Sequence, residues 1–84
     1  MKIVKFEKDH CPYCVMATNH LKNAGVEAVS KRPYDNEDDL NEFIPYGVMA
    51  FPLIVLLDDN GQAIKQSVGY NVKELDEMID AVKS

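Results

Sequence analysis

The apolar positions of the chain change their spacing several times, and each change marks an element. Ile3, Val4 and Phe6 give a short apolar strand near the amino terminus. Pro12 stands where a first helical residue is favoured, because the N–H it lacks would find no partner there. The stretch from Tyr13 to Ala24 runs without Pro or Gly, with Val15, Met16 and Leu21 expected on its buried side, and Gly25 is placed to end it in a left-handed cap. Val26 to Ser30 alternates with period two and predicts a second strand. Asp35 or Asn36 can cap a second helix, in which Leu40, Phe43 and Ile44 recur at helical spacing; Pro45 stops it and Gly47 follows in the turn. Leu53-Ile54-Val55-Leu56-Leu57 is a continuous apolar run of strand length, expected to be buried on both faces. Asp58-Asp59-Asn60-Gly61 is the strongest turn signal, with Asn-Gly suited to a tight hairpin, and Gln62 to Val68 returns as a fourth strand. Asn71-Val72-Lys73-Glu74 reads as a capping box ahead of an apolar stripe of Leu75, Met78, Ile79 and Val82.

The predicted order is therefore β-α-β-α-β-β-α. A helix joins the first two strands, so the right-handed crossover rule makes them parallel, whereas the last two form an antiparallel hairpin. The expectation is an α/β fold, a four-stranded mixed sheet with helices on both faces, spanning residues 1–84 as one domain. No linker, repeat or low-complexity stretch interrupts it.

Composition narrows the classes of function. Hydrophobic residues at 46% and charged residues at 27% are an ordinary globular balance for a chain of 84 residues. Nine basic against fourteen acidic residues leave a net charge of −5, which argues against nucleic acid or an anionic membrane as partner, since both require clustered Lys and Arg. The longest apolar run, Val48 to Leu57, is broken by Pro52 and falls short of the ~20 residues of a membrane span. Met1-Lys2-Ile3-Val4-Lys5-Phe6 is charged too soon for a secretory signal, so a cytoplasmic location is expected.

Two cysteines, Cys11 and Cys14, carry the candidate chemistry. A structural disulfide gains most when it closes a long loop, and this one would close two intervening residues. A Cys-x-x-Cys pair is also half of a zinc site, but no second Cys-rich or His-rich half follows, with only His10 and His20 to complete four ligands. Redox chemistry is the favoured reading; a non-catalytic zinc-binding module is the alternative of another class.

The chain resembles the thioredoxin/glutaredoxin superfamily over nearly all its length. Asp9-His10-Cys11-Pro12-Tyr13-Cys14-Val15 contains the Cys-Pro-Tyr-Cys motif typical of glutaredoxins, whereas Tyr46 to Leu56 and the hairpin through Asp59-Asn60-Gly61-Gln62 look more like a thioredoxin. The resemblance implies a cis peptide bond before Pro52, which would face the cysteines. It also implies a thiol-disulfide oxidoreductase that holds no tightly bound cofactor beyond a redox-active Cys11–Cys14 disulfide. Cys11, at the capping position of the helix that Pro12 opens, meets orphan N–H groups and the positive end of the helix dipole, both of which favour a thiolate. It is the expected nucleophile; Cys14, one turn in, is the expected resolving residue.

Around the pair, Lys8 is a candidate thiolate-stabilising and substrate-binding cation, with Glu7 and Asp9 beside it to offset its field, and Tyr13 a candidate docking aromatic. His10 reads as a loop residue and His20 as a surface one. Lys5 occupies the position where thioredoxins typically bury a carboxylate; the favoured reading is a lysine whose stem covers apolar surface while its head reaches water, the other a positive charge beneath the cysteines. Glutaredoxins usually read glutathione with Thr-Val-Pro and a Gly-Gly pair, and here these are Ala50-Phe51-Pro52 and Val68-Gly69-Tyr70-Asn71. Phe51, Pro52 and Gly69 are therefore expected to contact substrate, with Phe51 suiting an apolar protein surface. The expectation is a monomer that reduces protein disulfides, ribonucleotide reductase being a family-based candidate acceptor. Thioredoxin reductase is the favoured reductant and glutathione the alternative.

Overall fold

The computed structural model describes residues 1–84. Its strands are β1 (Lys2–Phe6), β2 (Ala28–Lys31), β3 (Leu53–Leu57) and β4 (Ala63–Val68), and its helices α1 (Pro12–Asn23), α2 (Glu37–Phe43) and α3 (Val72–Lys83). They form one mixed sheet in the order β2-β1-β3-β4. β1 runs parallel to β2, with Ile3 opposite Ala28, and antiparallel to β3, with Val4 opposite Val55. The β-α-β-α-β-β-α expectation and its strand directions hold.

Strand parity divides the core. Ile3, Ile54 and Leu56 point to one face and pack with Ala17 and Leu21 of α1 and Leu75, Met78 and Ile79 of α3. Val4, Phe6, Leu53 and Val55 point to the other and meet Phe43 of α2. Every residue from Leu53 to Leu56 is buried, as a strand covered on both faces requires. Each fully buried Leu, Ile or Phe side chain contributes about 1.5–3 kcal/mol, so these two clusters, not surface pairs, hold the layers together.

Local chemistry sets the boundaries. Gly25 adopts φ +75° after α1, where its N–H returns to the Lys22 carbonyl and that of Val26 to Leu21. Asn36 and Asn71 cap α2 and α3, accepting from the N–H groups of Asp39 and Glu74. The Glu74 carboxylate does not close the expected box; it accepts instead from the hydroxyl of buried Ser67 on β4.

Several local expectations need correction. Val15 and Met16 are 59% and 44% exposed, because the buried stripe of α1 is Cys14, Ala17 and Leu21. The second strand starts at Ala28, after Val26 has been drawn into the α1 cap. Helix α2 ends at Phe43; Pro45 sits inside a 3₁₀ turn, Ile44–Tyr46, that leaves Ile44 exposed. The β3–β4 connection is a loop rather than a two-residue turn. Asp58 N–H donates to the Gln62 carbonyl, its carboxylate accepts from Asn60 and Gln62, and the pairing register breaks between Leu56 and Leu57.

Candidate functional site: the Cys11–Cys14 pair

β1 leads into the site through Glu7 to His10, whose φ of +55° turns the chain before α1. His tolerates this left-handed region better than most residues, and a β-branched residue there would be strained. Cys11 is extended at the cap of α1, and its sulfur accepts the Cys14 N–H at 3.2 Å. The two residues form a disulfide with their Cα atoms 5.2 Å apart. Their environments differ: Cys11 is half-buried, whereas Cys14 is 2% exposed. An incoming sulfur can reach Cys11 and not Cys14. The N–H and the helix dipole that converge on Cys11 favour negative charge on its sulfur once the bond is opened. No group of three or more His, Cys, Asp or Glu side chains is arranged to hold a metal ion.

The structure brings the other named residues together partly as the resemblance implies, with a cis bond before Pro52, and partly through contacts the sequence did not foresee. The Phe51–Pro52 bond is cis, Pro52 is buried, and its carbonyl accepts the N–H of Gly69, which has φ +79°. Thus Pro52 and Gly69 share one backbone contact. Lys8 places its ammonium over the Phe51 ring, 5.6 Å from the centroid. That ring stacks on Phe43 at 5.1 Å and meets the edge of Tyr34 at 5.1 Å. Tyr13 is 59% exposed, as a docking aromatic must be.

The acidic neighbours of Lys8 are engaged elsewhere. Asp9 pairs with Arg32 at 2.5 Å, and Arg32 also holds Asp35 at 2.7 Å; both carboxylates raise the guanidinium above its ordinary value, Asp35 foremost. Glu7 turns to Lys5 and Ser30. His20 is not a free surface residue but half-buried, paired with Asp76 at 2.7 Å and edge-on to Tyr70.

Lys5 departs most from expectation. Its side chain is almost wholly buried rather than extended into water; the residue is 6% exposed. The ammonium donates to Thr18 Oγ1 at 2.6 Å and lies 3.3 Å from Glu7 Oε2. Thr18 in turn donates to the carbonyl of Cys14 at 2.9 Å. Sequence reasoning missed Glu7, Thr18 and Ser30 as members of this cluster. The signal was the shared strand parity of Lys5 and Glu7.

Comparison with known proteins agrees with this geometry. No protein-family model matches the chain. A curated relative, the SPbeta prophage-derived thioredoxin-like protein YosR of Bacillus subtilis, is 29% identical over 83 residues, covering 99% of this chain and all of its own. Among solved structures, the glutaredoxin-like NrdH-redoxin of Escherichia coli, reported with a thioredoxin-like activity profile, superposes with a TM-score of 0.75 at 12% identity, over 92% of this chain and 93% of its own. A glutaredoxin of Archaeoglobus fulgidus gives 0.72 at 21% identity, over 93% and 85%. The resemblance to the thioredoxin/glutaredoxin superfamily is borne out, and the fold is the thioredoxin fold.

Proposed function

We propose that this thioredoxin-fold chain, acting as a single domain over residues 1–84, is a thiol-disulfide oxidoreductase that reduces protein disulfides through Cys11 and Cys14. The observation that carries the reading is the asymmetry of the pair. Cys11 presents a half-buried sulfur at a helix N-terminus, and Cys14 is buried one turn behind it. The Cys11 thiolate attacks a substrate disulfide, one substrate sulfur leaves as a thiolate, and a mixed disulfide forms. Cys14 then attacks Cys11 Sγ, releases the second substrate thiol, and the pair is left oxidised. The substrate gains two electrons and two protons per cycle.

Tyr13, Phe51, Lys8 and the backbone at Pro52 and Gly69 form the substrate-binding surface in this reading. The Pro52 carbonyl already accepts the Gly69 N–H, so an extended peptide would pair with the backbone groups beside them. Thioredoxin reductase is the reductant, because the residues that would read glutathione are replaced and Lys8 is engaged with Phe51. The same fold in a glutaredoxin-like protein with a thioredoxin-like activity profile supports that assignment. Ribonucleotide reductase is a candidate acceptor, and the cytoplasm the expected compartment; no helix is long and apolar enough to cross a membrane.

Two NADPH-coupled assays run side by side test the reductant. Electrons from thioredoxin reductase should support reduction of a protein disulfide, and glutathione with glutathione reductase should support it poorly. Rapid turnover with glutathione alone would replace this assignment by a glutathione-dependent glutaredoxin. Stoichiometric zinc in protein purified without chelator would displace the redox reading altogether.

A further inference from the structure

We infer that buried Lys5 and its partly buried partner Glu7 control the resolving step: Lys5 is a positioning charge that favours the Cys14 thiolate, and Glu7 moderates it. This rests on the dithiol reading above and assigns a role to residues which that reading does not use.

Geometry carries the inference. The Lys5 ammonium is held against Thr18, one turn along α1 from Cys14, and Thr18 passes its own hydrogen bond to the Cys14 carbonyl. A positive charge is thereby fixed beneath the helical turn that bears the second sulfur. Burying an ammonium is costly, and Met would fill a similar volume without that cost. The cost is met by two partners, Thr18 and Glu7 at 3.3 Å, and Ser30 donates to Glu7 and so orients it. No buried side-chain nitrogen or oxygen lacks a partner.

Lys5 and Thr18 also line a cavity of about 330 Å³ between α1 and the segment entering β2, with Lys22 and Glu27 among its walls. Solvent can therefore exchange protons close to the pair. The charged groups facing this region are Lys5 and Glu7 from β1, Lys22 from α1 and Glu27 ahead of β2; β3 offers Ile54 opposite Lys5, and α3 meets α1 through Asp76 on His20.

In the step concerned, the Cys14 thiol gives its proton to solvent and its sulfur bonds to Cys11 Sγ. The bond between Cys11 and the substrate sulfur breaks, and the departing thiolate takes up a proton. A cation near Cys14 favours the first event, and a carboxylate near that cation weakens its effect.

Reduced full-length protein mixed with dithiobis(nitrobenzoate) separates the two sulfurs, since Cys11 releases the first nitrothiobenzoate and Cys14 the second. Lys5→Met should move the pH midpoint of the second release upward by about 1 unit. Glu7→Gln should move it downward, and Lys5→Arg, which keeps the charge, should leave it near wild type. The first release, measured in a Cys14→Ser background, should change less than about threefold in each. Equal shifts in one direction, or no shift, overturn the inference. Loss of the second release in Glu7→Gln at every pH would make Glu7 the proton acceptor and overturn it too. If Lys5→Met does not fold, Glu7→Gln and Lys5→Arg decide between the same outcomes. A wild-type protein that never gives a second release refutes the dithiol reading itself, a result distinct from either.

Discussion

The Phe51 ring, half-buried and proposed to meet substrate with its free side, is held from within the protein by Phe43, Tyr34 and Lys8, and replacing it with Leu measures how firmly. Leu keeps much of the apolar area and removes what belongs to the ring. Two ring pairs are lost, the stack on Phe43 and the edge contact with Tyr34, each at 5.1 Å. Such pairs contribute about 0.5–1.5 kcal/mol each beyond area burial. The Lys8 ammonium, 5.6 Å from the ring centre, adds about 0.5–1 kcal/mol at an exposed site. Since Phe51 is only half-buried, the lower part of the range applies, and Phe51→Leu should cost about 2 kcal/mol. For a domain of this size that lowers the melting temperature by roughly 8–16 °C. Urea and thermal unfolding of the oxidised protein read the change directly. A double-mutant cycle with Lys8→Met isolates the cation's share as a coupling of about 0.5–1 kcal/mol. A Phe51→Leu protein within about 0.3 kcal/mol of wild type would refute the argument, because that is within the additivity error of independent sites.

Three further outcomes follow from the same structure. Cys14→Ser should accumulate a mixed disulfide at Cys11, seen by intact mass after reaction with a disulfide substrate; trapping by Cys11→Ser instead would reverse the two roles. Leu75→Ala should cost about 2–5 kcal/mol in denaturant unfolding while Val72→Ala, on the same helix but 44% exposed, should cost under about 1 kcal/mol. Asp59 is held below its ordinary 3.8 by its hydrogen bond to the amino terminus and by the charge of that group. Its pair should therefore stabilise the fold above the ordinary carboxylate range and be lost as pH falls through the lowered value. The difference between wild type and Asp59→Asn in acid titrations of unfolding should accordingly close toward low pH.

What was legible in the chain is what is determined locally. Asn36, Gly25 and Asn71 cap their helices through contacts spanning a few residues, and the run Leu53 to Leu57 needs no partner to declare itself a covered strand. The Cys-Pro-Tyr-Cys geometry is local for the same reason. The buried face of α1 was not legible from hydropathy, because it is made of Cys14, Ala17 and Leu21 rather than the larger Val15 and Met16. Small residues there allow the helix to lie close to the sheet. Lys5 was misread because the rule that lysine heads reach water assumes a path to water. β1 is flanked by β2 and β3 and covered by α1, and the ammonium is taken up by Thr18 and Glu7 instead of extending into open water. The partners of Lys8 and Phe51 come from segments far apart in sequence, so spacing alone carries no trace of them.

The strand order has a consequence for how the molecule keeps company with itself. Two of the four strands, β2 and β4, are edges, and each presents unpaired N–H and C=O groups on which another chain can build. Apolar side chains stand exposed on both, Val29 on the first and Ile64 and Val68 on the second. Against this, β2 is four residues long and ends on Lys31, and β4 carries Lys65 and is shifted in register against β3. The net charge of −5 adds mutual repulsion between copies. Solubility at high concentration is thus governed by short, charged and irregular margins, not by the depth of the core, and a change at Lys31 or Lys65 would be felt as association before it was felt as unfolding.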